Sequence, residues 1–277
     1  MSVGESRDVL GAARALVREW SEEGVEVWEA AADAAGPDAD AAGPEAAAPE
    51  PAEPSSEPAP TRAPEPAAAA SPPAEGPALP GLDGGDWPAG TTLEQVREVL
   101  GDCTRCRLHE GRTQIVFGDG DPEADLMFVG EGPGEQEDLR GIPFCGRAGE
   151  LLTQMIEKGL EIPRSSVYIC NIVKCRPPRN RTPLADEVVA CRRFLDGQIA
   201  AVRPRAIVAL GKPATSTLLG RDVAITKLRG TWQSYRGIPV MPTFHPAFLL
   251  RQYTAENRRL VWNDLRAALA RARDGAD

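Results

Sequence analysis

Four short apolar runs, each leading into a segment of helical periodicity, constrain this chain more than any other feature. ADLMFVG (124–130), SVYICNIVKC (166–175), RAIVALG (205–211) and GIPVMPTFHP (237–246) are β-branched or continuously apolar and too short for buried helices, so they read as strands. Between and after them, RAGELLTQMIEKGL (147–160), the stretch from Thr182 and Pro183 to about Val202, KPATSTLLG and AENRRLVWNDLRAALARAR read as helices. TTLEQVREVLGDC forms a further helix ahead of the first strand. Strands alternating with helices imply a mainly parallel sheet covered on both faces. In such sheets ligands bind outside the carboxyl ends of the strands. Those ends carry Gly130–Glu131, Asn171, Gly211 and His245.

The rest of the chain divides sharply from this part. Residues 6–31 place Val9, Leu10, Ala13, Leu16, Val17, Trp20 and Val27 near helical spacing, which predicts an N-terminal helical segment within 1–35. From 36 to 90 the chain is Ala, Pro and Glu with almost no large apolar side chains. Such a composition cannot offset its ordering entropy, so a disordered linker is expected, with the folded domain spanning 91–277. Residues 1–90 hold 4 Arg, no Lys and 18 Asp or Glu, a net charge of −14, against an overall −10. The folded part is therefore mildly basic and the arm acidic, which is compatible with a nucleic-acid-binding domain. No apolar run approaches the roughly 20 residues a membrane helix needs, and MSVGESRDVL lacks the plan of a signal peptide. A cytoplasmic protein without membrane contact is expected.

All six cysteines fall between 103 and 191. In a reducing compartment that favours metal ligation over disulfides. Cys103 and Cys106 form a CxxC pair, and Cys175 and Cys191 a second pair with fifteen residues between them; together they suit zinc or an iron–sulfur cluster, which spacing does not separate. Cys170 lies within an apolar strand and Cys145 in a loop, and neither needs a special role.

The loop after the first strand, FVGEGPGEQED (128–138), has glycines at every second position, yet it carries Glu131, Glu135, Glu137 and Asp138 and no basic residue. Four carboxylates argue against phosphate, and the G-x-G-x-x-G fingerprint is missing, because Glu135 stands three after Gly132. Acids at a strand end instead suit orienting a water, stabilising a cation or binding a metal. Phe144 in PFCGRAG is either a core contact or a stacking platform. Lys174, Arg176, Arg179 and Arg181 in KCRPPRNRTP form a solvated basic loop or a phosphate-contacting surface. His245 in FHPA ends a strand, with Pro fixing the turn.

Together GEGPGEQED, GIPFCGRAGELL, YICNIVKCRPPRNRTP, the two cysteine pairs and FHPAFLLR resemble the family-4, iron–sulfur uracil-DNA glycosylases, over about 93–269. The resemblance implies a three-layer α/β/α sandwich with a short, mainly parallel four-stranded sheet. It implies a structural 4Fe–4S cluster on Cys103, Cys106, Cys175 and Cys191, and excision of uracil from single- or double-stranded DNA to leave an abasic site. In this reading Gly132 and its neighbours wall the base pocket, Phe144 stacks on uracil and Asn171 pairs with its N3–H and O4. Glu131 and Glu137 serve the sugar and the attacking water, and His245 stabilises the departing base at O2. Arg176, Arg179, Arg181 and Arg251 meet DNA, and Leu249 or Phe248 fills the gap left by the base.

First-family relatives have Asp where Gly132 stands, so the water-activating group is open among Glu131, Glu137 and Asp138. The long basic insertion of covalently trapping relatives is absent, which implies ordinary turnover; no Lys stands where the family uses one for lyase chemistry, so a monofunctional enzyme is expected, and a monomer. The acidic arm is expected to tether it to a repair or replication protein. Two other readings stand beside this one: a non-catalytic, metal-stabilised nucleic-acid-binding module such as a polymerase-associated fragment, and a Rossmann-like nucleotide enzyme. The FHPA and PF motifs disfavour the first, and the acidic loop disfavours the second.

Overall fold

A computed structural model of the chain describes residues 87–274. The helical segment expected within 1–35 and the linker expected at 36–90, save its last four residues, lie outside the described residues. Trp87, ahead of residue 91, already packs on the domain. Its indole N–H donates to the Arg193 carbonyl at 2.8 Å and its ring lies against Gly197.

Helix α1 (Leu93–Leu100) is opened by a capping box in which Thr92 accepts the Gln95 N–H and the Gln95 side chain accepts the Thr92 N–H. There follow β1 (Asp119–Gly120), β2 (Leu126–Gly130), α2 (Glu135–Arg140), α3 (Arg147–Gln154) running on into a π turn (Met155–Gly159), and β3 (Tyr168–Asn171). The second half contains α4 (Ala185–Val202), β4 (Ala206–Leu210), α5 (Gly211–Leu219), α6 (Ile225–Leu228), β5 (Gln233–Tyr235), β6 (Ile238–Thr243), α7 (Pro246–Arg251) and α8 (Ala255–Arg273). Helix α4 starts later than Thr182 and Pro183 suggest. The Thr182 side chain bonds to Glu131 instead of capping. Leu184 stands at the N-cap, its N–H donating to buried Glu187 at 2.8 Å.

The sheet order is β1-β3-β2-β4-β6-β5. The four central strands are the expected ones and run parallel; β1 and β5 add short antiparallel edges. Elements of two or three residues carry no readable periodicity, which is why the sequence hides them. Side chains alternate between the faces of each strand. Met127, Val129, Cys170, Ile207, Ala209 and Val240 share one apolar cluster with Val96, Leu100, Phe194 and Leu195 of α1 and α4. Helix α8 contacts β2, β4 and β6, burying Val261 and Leu265.

This topology places the site. From β2 the chain crosses to β3 on one side, whereas from β4 it crosses to β6 on the other. The sheet therefore reverses winding between β2 and β4; at such a switch point, beyond the carboxyl ends of the strands, sheets of this kind bind ligands. Among the described residues no helix is long and apolar enough to cross a membrane.

Candidate active site

Gly130 and Asn171 are register partners at the ends of β2 and β3. A Cβ on Gly130 would fall 2.4 Å from Phe144 Cζ and 2.5 Å from Asn171 Oδ1, so only glycine lets the ring and the carboxamide meet there. The Asn171 side chain is buried and its Oδ1 has no hydrogen-bond partner among the described residues. A buried acceptor left unpaired costs about 1–3 kcal/mol, so this oxygen is an acceptor awaiting a donor. Phe144 is held with φ 53°, a left-handed conformation that costs a bulky residue roughly 1–3 kcal/mol. Its surroundings impose it. Gly149 of α3 packs so closely that a Cβ would lie 1.9 Å from the Phe144 carbonyl, and Arg164 donates to Pro143 O at 2.7 Å.

His245, at the end of β6, brings its ring to 5.6 Å from that of Phe144. Its Nδ1 accepts the Ala247 N–H at 3.1 Å, which leaves the proton of the neutral ring on Nε2. Burial, helped by the nearby Arg251 charge, depresses its pKa to about 4. The imidazole is therefore neutral at physiological pH and presents an N–H donor.

The acids of the loop separate by their partners. Glu137 accepts from Gly134 N–H at 3.0 Å with one oxygen and from Cys145 and Gly146 N–H at 3.1 and 3.0 Å with the other. It staples the start of α2 to the Phe144 loop, with both oxygens engaged by backbone N–H groups. Asp138 is buried and accepts the Thr113 N–H at 2.9 Å. Glu135 is exposed beside Arg176, at 3.7 Å. Glu131, directly after β2, is half-buried and, unlike Glu137 and Asp138, receives no backbone N–H among the described residues. Burial pushes its pKa up, and a hydrogen bond from Thr182 partly opposes the rise. Gly132 lies against Val173 and Pro177.

Two of the expected DNA-facing residues are placed otherwise. Leu249 is fully buried, because α7 turns that face against α3; Leu250, beside it, is 40% exposed. Phe248 stacks on Phe244 at 4.6 Å. Arg181 is clamped bidentately on Glu187 at 2.7 and 2.8 Å, so its guanidinium anchors the loop to α4. Arg176 is held by Asn180 and Glu135. Arg179, in a left-handed turn at the exposed loop tip, and Arg251, at the exposed end of α7, face outward.

The four paired cysteines are free thiols drawn from three segments. Each sulfur has one N–H donor: Arg105 to Cys103 at 3.3 Å, the Leu108 amide to Cys106, Arg112 to Cys175 at 3.3 Å and the Lys174 amide to Cys191. The thiols also feel one another electrostatically, and burial raises Cys106, Cys175 and Cys191, the last to about 12. Such thiols give up their protons only to a strong positive partner. Among the described residues no three His, Cys, Asp or Glu converge tightly enough to clasp a single metal ion.

The uracil DNA glycosylase superfamily matches residues 117–266. A type-4 uracil-DNA glycosylase of Thermotoga maritima is 49% identical over 180 residues, covering 64% of this chain and 92% of that protein. The chain belongs to the type-4 uracil-DNA glycosylases. A type-4 glycosylase of Saccharolobus solfataricus is 42% identical over 63% of this chain and 83% of its own length. A DNA polymerase of Bacillus phage SP01 is 32% identical over 52% of this chain but only 16% of its own. Within this glycosylase, sequence reasoning missed Arg164, Gly149 and Thr182, which hold the Phe144 loop and Glu131. The only signal they leave is the RAGELL glycine, whose need for space a sequence does not display.

Proposed function

We propose that this chain is a monofunctional uracil-DNA glycosylase in which Asn171 reads the flipped base and Glu131 and His245 act on the bond. The observation that carries this reading is the unpaired, buried Asn171 Oδ1 beside the Phe144 ring. Uracil offers the missing donor at N3–H and an acceptor at O4 for the Asn171 amide; cytosine offers the reverse and leaves both groups unpaired. Phe144 stacks on the extruded ring. As the bond between the sugar C1′ and uracil N1 breaks, its electrons pass into the base, and the His245 Nε2–H donates to O2 where the charge gathers. Glu131 lies on the side where the sugar becomes cationic, orients the water that adds to C1′ and takes its proton.

The four-cysteine site fits a 4Fe–4S cluster: four thiols that feel one another's charge, with an N–H donor to each sulfur. Cys103, Cys106, Cys175 and Cys191 would hold it. When bound it would tie together the three segments that carry these residues, fixing the loop from which Thr182 reaches Glu131. Exposed Arg179 and Arg251 would meet DNA phosphates, and exposed Leu250 rather than buried Leu249 would fill the vacated base position. A non-catalytic module, as part of a larger polymerase chain, would leave the Asn171 oxygen and the neutral His245 without purpose.

The test is excision from a single-uracil oligonucleotide, with cleavage visible only after alkali. Asn171→Ala should lower the single-turnover rate by roughly 10² to 10⁴, the loss of two buried hydrogen bonds, without bleaching the protein. Alkali-independent cleavage, or full activity of the variant, would refute the assignment. The α7 leucines give a second check. Leu249→Ala should cost about 2–5 kcal/mol of stability through the cavity it leaves, measured by denaturant unfolding. Leu250→Ala should leave stability unchanged and reduce excision from duplex more than from single-stranded DNA. The reverse pattern would restore Leu249 as the wedge.

A further inference from the structure

Lys174 is buried completely, and its ammonium meets only neutral acceptors: Asn171 O at 2.6 Å, Gln198 Oε1 at 2.5 Å and the Cys170 thiol. Gln198 is turned towards it by donating its own amide to Phe117 O and Tyr168 OH, at 2.8 and 3.1 Å. No carboxylate pairs with Lys174 among the described residues. An ammonium taken fully out of water needs an anion. The four-cysteine site supplies one: Lys174 precedes Cys175 in the chain, its backbone N–H donates to Cys191 Sγ, and its charge acts on that sulfur. The other end of the residue grips the main-chain carbonyl of Asn171, whose side chain reads the base.

We propose that Lys174 is a positioning residue that joins the two sites: the thiolates of the four-cysteine site balance its buried charge, and its ammonium fixes Asn171 in the register that receives uracil. This rests on the cluster reading given above. It explains why the reading asparagine and the cysteine loop share one short segment, Asn171 to Cys175, with no intervening residue that is exposed. It also gives the four-cysteine site an effect on base recognition without any contact with the base.

Lys174→Met removes charge and donor, whereas Lys174→Gln removes charge and keeps a donor. Iron analysis of the wild type comes first; wild-type protein that excises uracil but holds no iron would overturn the cluster reading, and with it the charge-balancing part of this one. With iron present, both variants should lose their visible absorbance to a chelator about 10- to 100-fold faster, as when partners of metal ligands are removed. Single-turnover excision should fall about tenfold or more in Lys174→Met, the loss of a charged hydrogen bond. It should recover partly in Lys174→Gln, with DNA affinity unchanged in both. A wild-type cluster lifetime in Lys174→Met overturns the charge role, and wild-type excision overturns the positioning role. Should neither variant accumulate, the wild-type protein still decides. It has four lysines, and the residual paramagnetism of the cluster should displace the side-chain nitrogen signal of Lys174 alone; four unperturbed signals would overturn the pairing.

Discussion

Glu131→Gln should lower uracil excision by about 10²- to 10⁴-fold, the usual contribution of a positioned proton acceptor, with fold, cluster and DNA affinity retained. The expectation follows from elimination by partners. Glu137 is bound by three backbone N–H groups, Asp138 holds the chain at Thr113, and Glu135 stands exposed beside Arg176. Only Glu131 combines a place at the end of β2 with a carboxylate free of backbone duty. Burial raises its pKa above the ordinary value of 4.5, and activity requires the ionised form. The acid limb of the pH–rate profile should therefore have its midpoint above 4.5 and vanish in Glu131→Gln, whose residual rate no longer depends on that ionisation. Glu137→Gln gives the contrast. Its amide would present a donor to backbone donors, so it should destabilise the Phe144 loop and lower activity through folding, leaving the acid limb where it was. Single-turnover rates between about pH 4 and 9, with urea unfolding of the same samples, separate the two. An unchanged acid limb in Glu131→Gln would move the catalytic role elsewhere.

The sequence made the framework legible because its physics is local. Four buried strands and their helices announce themselves by apolar runs and period, and their alternation implies a parallel sheet, but the order in which they pair, with its reversal between β2 and β4, is not written in any one of them. The two edge strands are too short to announce themselves. At the site, Asn171, Phe144 and His245 were visible as residue types at strand ends or in a glycine-rich loop. What the sequence withheld was the commitment of each charged group. Arg181 and Arg179 look alike in RNRTP, yet one is spent on buried Glu187 and the other faces outward. Leu249 and Leu250 differ only in the face of a six-residue helix, which no short sequence period fixes. Likewise Glu131 and Glu137 are equivalent as letters; the Cys145 and Gly146 amides that occupy Glu137 arrive from another loop. Partners in other elements, placed by the fold, decide these cases, so only three-dimensional structure assigns them.

His245→Ala should reduce the chemical step by about 10²- to 10³-fold, the cost of deleting one donor to a developing oxyanion, while uracil-DNA still binds. The donor is ready before the reaction begins. The Ala247 N–H fixes Nδ1 as acceptor, so the proton sits on Nε2, and the depressed pKa of about 4 keeps the ring neutral. A neutral imidazole donates a hydrogen bond without having to lose a charge when the base departs, and it needs no pre-protonation. The wild-type rate should accordingly show no break near the ordinary histidine value of 6.5. Stability behaves differently. A histidine whose folded pKa lies below its unfolded one favours folding fully above about 6.5, and that contribution is lost as pH falls from there through about 4. His245→Ala should thus flatten the stability profile over that window while lowering the rate at every pH. A rate break near 6.5 in the wild type that disappears in His245→Ala would mean the ring works as a cation, and the leaving-group role would have to be rewritten as proton donation.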